Sequence, residues 1–185
     1  MDNFRSRFYT TYRFVSTLIA LCHHRWSLPV IAEIGRTRGS RFATLAGRLG
    51  LAGESLRRTL AYLQDEGLVA RNPGYGHPLR PEYVLTTEGA RIAPDATRLL
   101  AALRGREDVG LKKWSLPVMA ELDRPRRFSE LRAALPATAR ALALALKDLE
   151  DAGLVHRAVT EDRPPRTMYE VTRTARRIAS AARAL

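Results

Sequence analysis

Residues Arg25–Ile34 (RWSLPVIAEI) return as Lys113–Leu122 (KWSLPVMAEL), an offset of 88. Arg41–Leu45 (RFATL) matches Arg127–Leu131 (RFSEL) at an offset of 86, so the first copy holds two extra residues between these blocks. From there the register holds. Leu56, Leu60 and Leu63 map to Leu142, Leu146 and Leu149, and Asp65–Val69 maps to Asp151–Val155. Arg71, Pro78, Arg80, Tyr83 and Thr86 map to Arg157, Pro164, Arg166, Tyr169 and Thr172. Correspondence on this scale marks a tandem duplication, so whatever fold one copy takes, the chain carries it twice.

Each copy reads as three helices followed by a hairpin. Apolar spacing predicts a first helix over Trp26–Ile34 and again over Trp114–Leu122, with Pro29 and Pro117 in the first turn, where a missing N–H is tolerated. Gly39-Ser40 and Asp123–Pro125 break the chain. Ser40 is expected to cap a short second helix, Arg41–Leu49, and its counterpart is Phe128–Leu135. Turns at Gly50–Gly53 and Pro136–Thr138 lead into a third helix, whose leucines at i, i+4 and i+7 make one buried stripe. Gly67 and Gly153 suit the left-handed residue that ends a helix. Strands begin at Leu68-Val69 and Leu154-Val155 and return at Tyr83–Thr86 and Tyr169–Thr172. The tips between them, Asn72–Pro81 and Ala158–Thr167, are rich in Pro and Arg. Trp26, Trp114, Phe42 and Phe128 recur in both copies and are expected in the core. The expected class is α+β, mainly helical: two tandem winged helix-turn-helix domains forming a pseudo-dimer.

The block Trp114–Leu135, the Gly153–Val155 step, and Pro164, Pro165, Arg166, Tyr169 and Thr172 resemble the HxlR-type transcriptional regulators of bacteria. The likeness covers nearly all of the second copy and a weaker version of the first. It implies a small regulator that pairs through terminal helices and binds operator DNA with two winged helices, here carried by one chain. Residues 1–24 would be an N-terminal pairing element, 25–94 the first winged unit, 95–112 a helical linker and second pairing element, and 113–185 the second winged unit with a C-terminal helix. Some regulators of this type sense oxidants through a cysteine thirteen residues before the first-helix tryptophan. That position is Arg13 here, so the property does not carry over.

Opposite the leucine stripe of the third helix lie Glu54, Arg58 and Tyr62, flanked by Ser55 and Arg57. Arg58 is placed to fork onto a guanine edge. Arg57, Arg71, His77 and Arg80 read as phosphate contacts. The second copy presents Arg140, Leu144 and Lys147, with Ala141 and Asp148 beside them. Leu144 stands where the first copy has Arg58: it either touches a thymine methyl or is buried against another part of the chain. Arg163 and Arg166 keep phosphate contact in the second tip. One reading head and one mainly gripping head are expected.

Charge agrees with a polyanionic partner. The formal net charge is +12, from 31 basic and 19 acidic side chains. It divides evenly: residues 1–94 hold 13 basic and 7 acidic groups, residues 95–185 hold 18 and 12. The positive charge is therefore built into both copies. Cys22 is the one cysteine, which excludes an intramolecular disulfide and fits a reducing cytoplasm. No apolar run is long enough to span a membrane. Phe14–Cys22 follows three arginines but lacks a small-x-small cleavage site, so it is not read as a signal peptide. No phosphate loop, paired-cysteine motif or metalloprotease helix occurs, and the acidic residues form no catalytic pair. Cys22, His23 and His24 are adjacent and point apart, so no metal site is expected. The expectation is a DNA-binding regulator, neither an enzyme nor a cofactor carrier, open to a small-molecule effector and to further dimerisation. The competing readings are a drug- or metabolite-binding protein with its cavity between the two halves, and a docking module that uses the face around Leu144.

Overall fold

The computed structural model describes residues 17–72 and 81–185. Residues 1–16 of the expected pairing element, and the tip residues 73–80 with His77 and Arg80, lie outside them. The chain forms two compact units. One is residues 24–101; the other is residues 102–185 together with the described residues before 24.

The first unit opens with α1 (Ser27–Thr37), which buries Leu28, Val30, Ile31 and Ile34. It runs one turn beyond the expected end at Ile34. Arg38 takes the left-handed conformation at φ 57°, and its N–H reaches the Ile34 carbonyl. The Gly39 N–H reaches the same carbonyl. The counterpart, α6 (Ser115–Glu121), has 7 residues where α1 has 11. The two residues inserted in the first copy thus extend a helix. Without them the second copy stops short of Pro125, which cannot continue a helix.

Strand β1 (Ser40–Arg41) precedes α2 (Phe42–Leu49) and α3 (Gly53–Asp65). Strands β2 (Val69–Asn72) and β3 (Glu82–Leu85) form the hairpin, and α4 (Thr87–Leu103) follows. The sheet order is β1-β3-β2, all antiparallel. Ser40 does not cap α2. It is buried and extended in β1, opposite Tyr83. Arg41 takes the cap position, with no side-chain hydrogen bond. Completing the sheet satisfies the Ser40 backbone, and that competes with capping geometry.

The second unit repeats the plan. After α5 (Glu107–Gly110) come α6, β4 (Arg126–Arg127), α7 (Phe128–Ala134) and α8 (Ala139–Asp151). Then β5 (Val155–Val159), β6 (Thr167–Val171) and α9 (Arg176–Arg183) follow, with sheet order β4-β6-β5. Here the third helix is capped: the Thr138 hydroxyl accepts from the Ala141 N–H.

One device recurs in both units. Gly67 and Gly153 sit just past α3 and α8 at φ 68° and 67°, a backbone state that disfavours any side chain. The Thr86 hydroxyl donates to the Gly67 carbonyl at 2.7 Å, and the Thr172 hydroxyl donates to Gly153 at 2.9 Å. The repeated threonine therefore ties the end of the returning strand to the exit of the third helix, fixing wing against helix. The four recurrent aromatics are less buried than expected. Trp26, Trp114, Phe42 and Phe128 are all half-buried. Arg25 and Lys113 lie 5.4 Å from the centroids of the two indoles, so each ring keeps a face for a cation.

Candidate nucleic-acid interface

Leu56, Leu60 and Leu63 of α3 are at most 1% exposed, which turns the opposite face of the helix outward. Arg57, Arg58 and Glu54 stand there with 69%, 71% and 56% of their side chains exposed. Glu54 holds both arginines, Arg57 Nη1 at 2.6 Å and Arg58 Nε at 2.9 Å. The hydrogen bonds from Arg58 and then Arg57 keep its carboxyl below the usual carboxylate range. Ser55 is half-buried, and its carbonyl accepts from the Thr59 hydroxyl. Tyr62 departs from the outward placement: it is half-buried, its ring 4.7 Å from that of His24. Its position near the helix C-terminus brings it over the turn before α1, where an aromatic neighbour is available. Arg71 lies exposed on β2, opposite Tyr83.

Replacing Glu54 with glutamine should release both guanidiniums. Affinity for mixed DNA at low salt should rise about two- to tenfold, because a carboxylate no longer competes with phosphate for them. A fluorescence-anisotropy titration checks this, and an unchanged or weaker affinity would contradict it.

In the second unit Leu142, Leu146 and Leu149 form the buried stripe. Arg140 and Lys147 are exposed. Lys147 Nζ sits 2.7 Å from Asp151, which raises its pKa. Asp148 instead takes Lys112 at 2.7 Å. Leu144 is 59% exposed, so of the two alternatives for it, burial does not hold among the described residues. Val159, on β5, is 62% exposed. Arg163 and Arg166 are exposed on the second tip. The tip is closed by the Thr160 N–H to the Arg166 carbonyl and by the Arg166 N–H to the Thr160 hydroxyl. The sequence gives Arg157 nothing beyond its alignment with Arg71. It is exposed opposite Tyr169 as Arg71 is opposite Tyr83, and the repeat alone pointed to it.

Among the described residues no three His, Cys, Asp or Glu side chains gather as metal ligands. No helix there is long and apolar enough to cross a membrane. Cys22 is 5% exposed, and burial pushes its thiol up to about 12. The thiolate is the reactive form. Native protein at pH 8 should therefore resist iodoacetamide, with modification gained only on unfolding. Stoichiometric labelling of the folded chain within minutes would contradict this.

Two helix-turn-helix units, each with a three-stranded wing and a solvent-facing third helix, define a protein with a doubled DNA-binding fold. The chain belongs to the HxlR-like helix-turn-helix family, whose model matches residues 21–104 and again 109–185. It is thereby a DNA-binding transcriptional regulator. No curated protein matches it. Among solved structures it is similar to the redox regulator HypR in its oxidized form, with 33% identity over 43% of this chain and 84% of that one, and a TM-score of 0.40. The reduced transcriptional regulator YodB from B. subtilis is 28% identical over 45% and 74%, with a TM-score of 0.34. A MarR-family regulator from Porphyromonas gingivalis W83 is 26% identical over 42% and 78%, with a TM-score of 0.39.

Proposed function

We propose that this chain is a cytoplasmic regulator that occupies one DNA site with two unequal heads in pseudo-dimeric arrangement. The first copy selects sequence through Arg58, with Glu54 and Arg57 beside it. Ser55 and Arg71 assist at the backbone, as do His77 and Arg80 on the wing. The second copy holds phosphates through Arg140, Lys147, Arg163, Arg166 and Arg157, and offers Leu144 to a thymine methyl. The observation that supports this is the exchange at one position: an exposed arginine on α3 against an exposed leucine on α8. The chain acts by binding rather than catalysis, and its output is open to a small-molecule effector.

Selection from mixed genomic fragments at two salt levels tests the reading. A discrete site should emerge. Neutralising about six phosphates makes affinity fall roughly a thousandfold between 50 and 200 mM salt. Footprinting should show unequal halves. A perfect palindrome protected equally on both arms, or binding without sequence choice, would overturn it.

A further inference from the structure

The first unit carries an open groove of about 640 Å³, with Arg36, Arg38, Ala90, Pro94 and Thr97 exposed along it; its size suits a drug-sized molecule. Ile34, Gly35, Val84, Leu85, Ala93 and Pro94 make its apolar walls, and Ala90 and Thr97 also line it. All belong to α1, β3 and α4. Small residues let these elements meet along its inner side. A Cβ on Gly35 would stand 2.8 Å from the Ala93 Cβ, so α1 and α4 touch there and neither can carry a larger side chain at the contact.

Two features of the lining are polar and specific. Arg36 and Arg38 both line the groove. Arg36 is held by Glu33 through two hydrogen bonds of 2.9 and 2.8 Å. Arg38 makes no ion pair among the described residues, so its charge is available. The second feature follows from Pro94 inside α4. Proline has no N–H, so the Ala90 carbonyl receives no i+4 helical hydrogen bond. A cationic rim, an apolar body and a carbonyl without its i+4 donor together describe a complementary ligand.

The second copy lacks these features. At the offset of 86, Val84, Ala90 and Thr97 become Glu170, Arg176 and Arg183, and Pro94 becomes Ser180. There α9 packs on α6 through Ile178, Ala179 and Ala182, the counterparts of the equally buried Ile92, Ala93 and Ala96, so the copies differ in the lining residues and not in this packing. Duplication began with two equivalent surfaces, and the apolar lining stands in one.

We infer that the first copy binds a small amphipathic organic anion. Its aromatic or aliphatic body lies between α1, β3 and α4, its acid group meets Arg38, and a hydroxyl or N–H of the ligand donates to the Ala90 carbonyl. The site rests on the effector half of the reading above.

The probe is 1-anilinonaphthalene-8-sulfonate, which has an aryl body, an acid and one N–H. Its neutral counterpart, N-phenyl-1-naphthylamine, lacks only the acid. The full chain should take one sulfonate dye per molecule, saturably, by calorimetry and fluorescence. Filling the groove with Ala90→Phe, or independently with Thr97→Phe, should weaken binding at least about tenfold; having two occluding variants guards against one that misfolds. Arg38→Asn keeps a residue that tolerates the left-handed backbone. It should cost about tenfold for the sulfonate and leave the neutral dye within about twofold, as loss of a charge-assisted contact predicts. Absence of saturable binding, indifference to both occluding variants, or equal losses for the two dyes in Arg38→Asn would each overturn the site. A DNA titration of the same preparations separates the two proposals. A chain that selects DNA but ignores the dye loses the site alone. One that takes the dye but selects no DNA loses the regulator reading and keeps the site.

Discussion

Leu60→Ala is expected to cost about 2–5 kcal/mol of stability, the range for emptying a packed leucine site. Leu60 is 1% exposed, between Leu56 and Leu63 at 0% on the same face of α3. Truncation removes apolar burial and leaves a cavity that neighbours held by two helices and a sheet fill only in part. Urea or thermal unfolding should register the loss, as a fall in Tm of several degrees. DNA affinity should fall with it, because the stripe that Leu60 anchors is what fixes the outward face of the helix. Leu144→Ala is the contrast. At 59% exposure it should stay within about 0.5 kcal/mol of the parent in stability. If the two truncations destabilised equally, the inward and outward faces would be wrongly assigned.

Arg58→Ala is expected to cost about 1–3 kcal/mol at the selected site and much less on unrelated DNA. A bidentate guanidinium on a base edge contributes only where that base is present; a phosphate contact contributes everywhere. Arg71→Ala should therefore lower affinity for all sequences by a similar factor and reduce the salt slope by about one. Binding both variants to the selected site and to a scrambled duplex, at two salt levels, separates these outcomes. Equal losses on both duplexes for Arg58→Ala would remove it from the reading role. Glu54 modulates the size of the effect. Arg58 must leave a carboxylate 2.9 Å away to reach a base, so part of its contact energy offsets the broken pair.

Much of this architecture could be read from the repeat and the helical spacing. The leucine stripes, the helix-ending glycines at 67 and 153 and the paired hairpin strands all follow from short-range rules, and those rules acted twice. What escaped depended on partners distant in the chain. Ser40 looks like a cap when only its own neighbours are considered; Tyr83, over forty residues on, recruits it into a strand. Tyr62 falls on the outward face by angle alone, yet His24 offers its ring a place to pack. The Glu54 clamp was within reach of the sequence, since Glu54, Arg57 and Arg58 have the i, i+3 and i+4 spacing of helical ion pairs. The groove was not. It arises from three elements meeting at small residues, and no local pattern announces such a meeting. Pro94 within an otherwise helical stretch was the nearest hint.

The exchange of Arg58 for Leu144 between the copies bears on genome geometry. A regulator assembled from two identical chains looks the same after half a rotation, so it has no front or back along a duplex. On the division of labour proposed above, a chain whose halves differ at that position has both. It would then lie on its operator in one sense only, and reversing the operator would place its unequal flanks toward opposite neighbouring genes. Turning the site end for end, with every base pair retained, should therefore be felt by the promoter beside it.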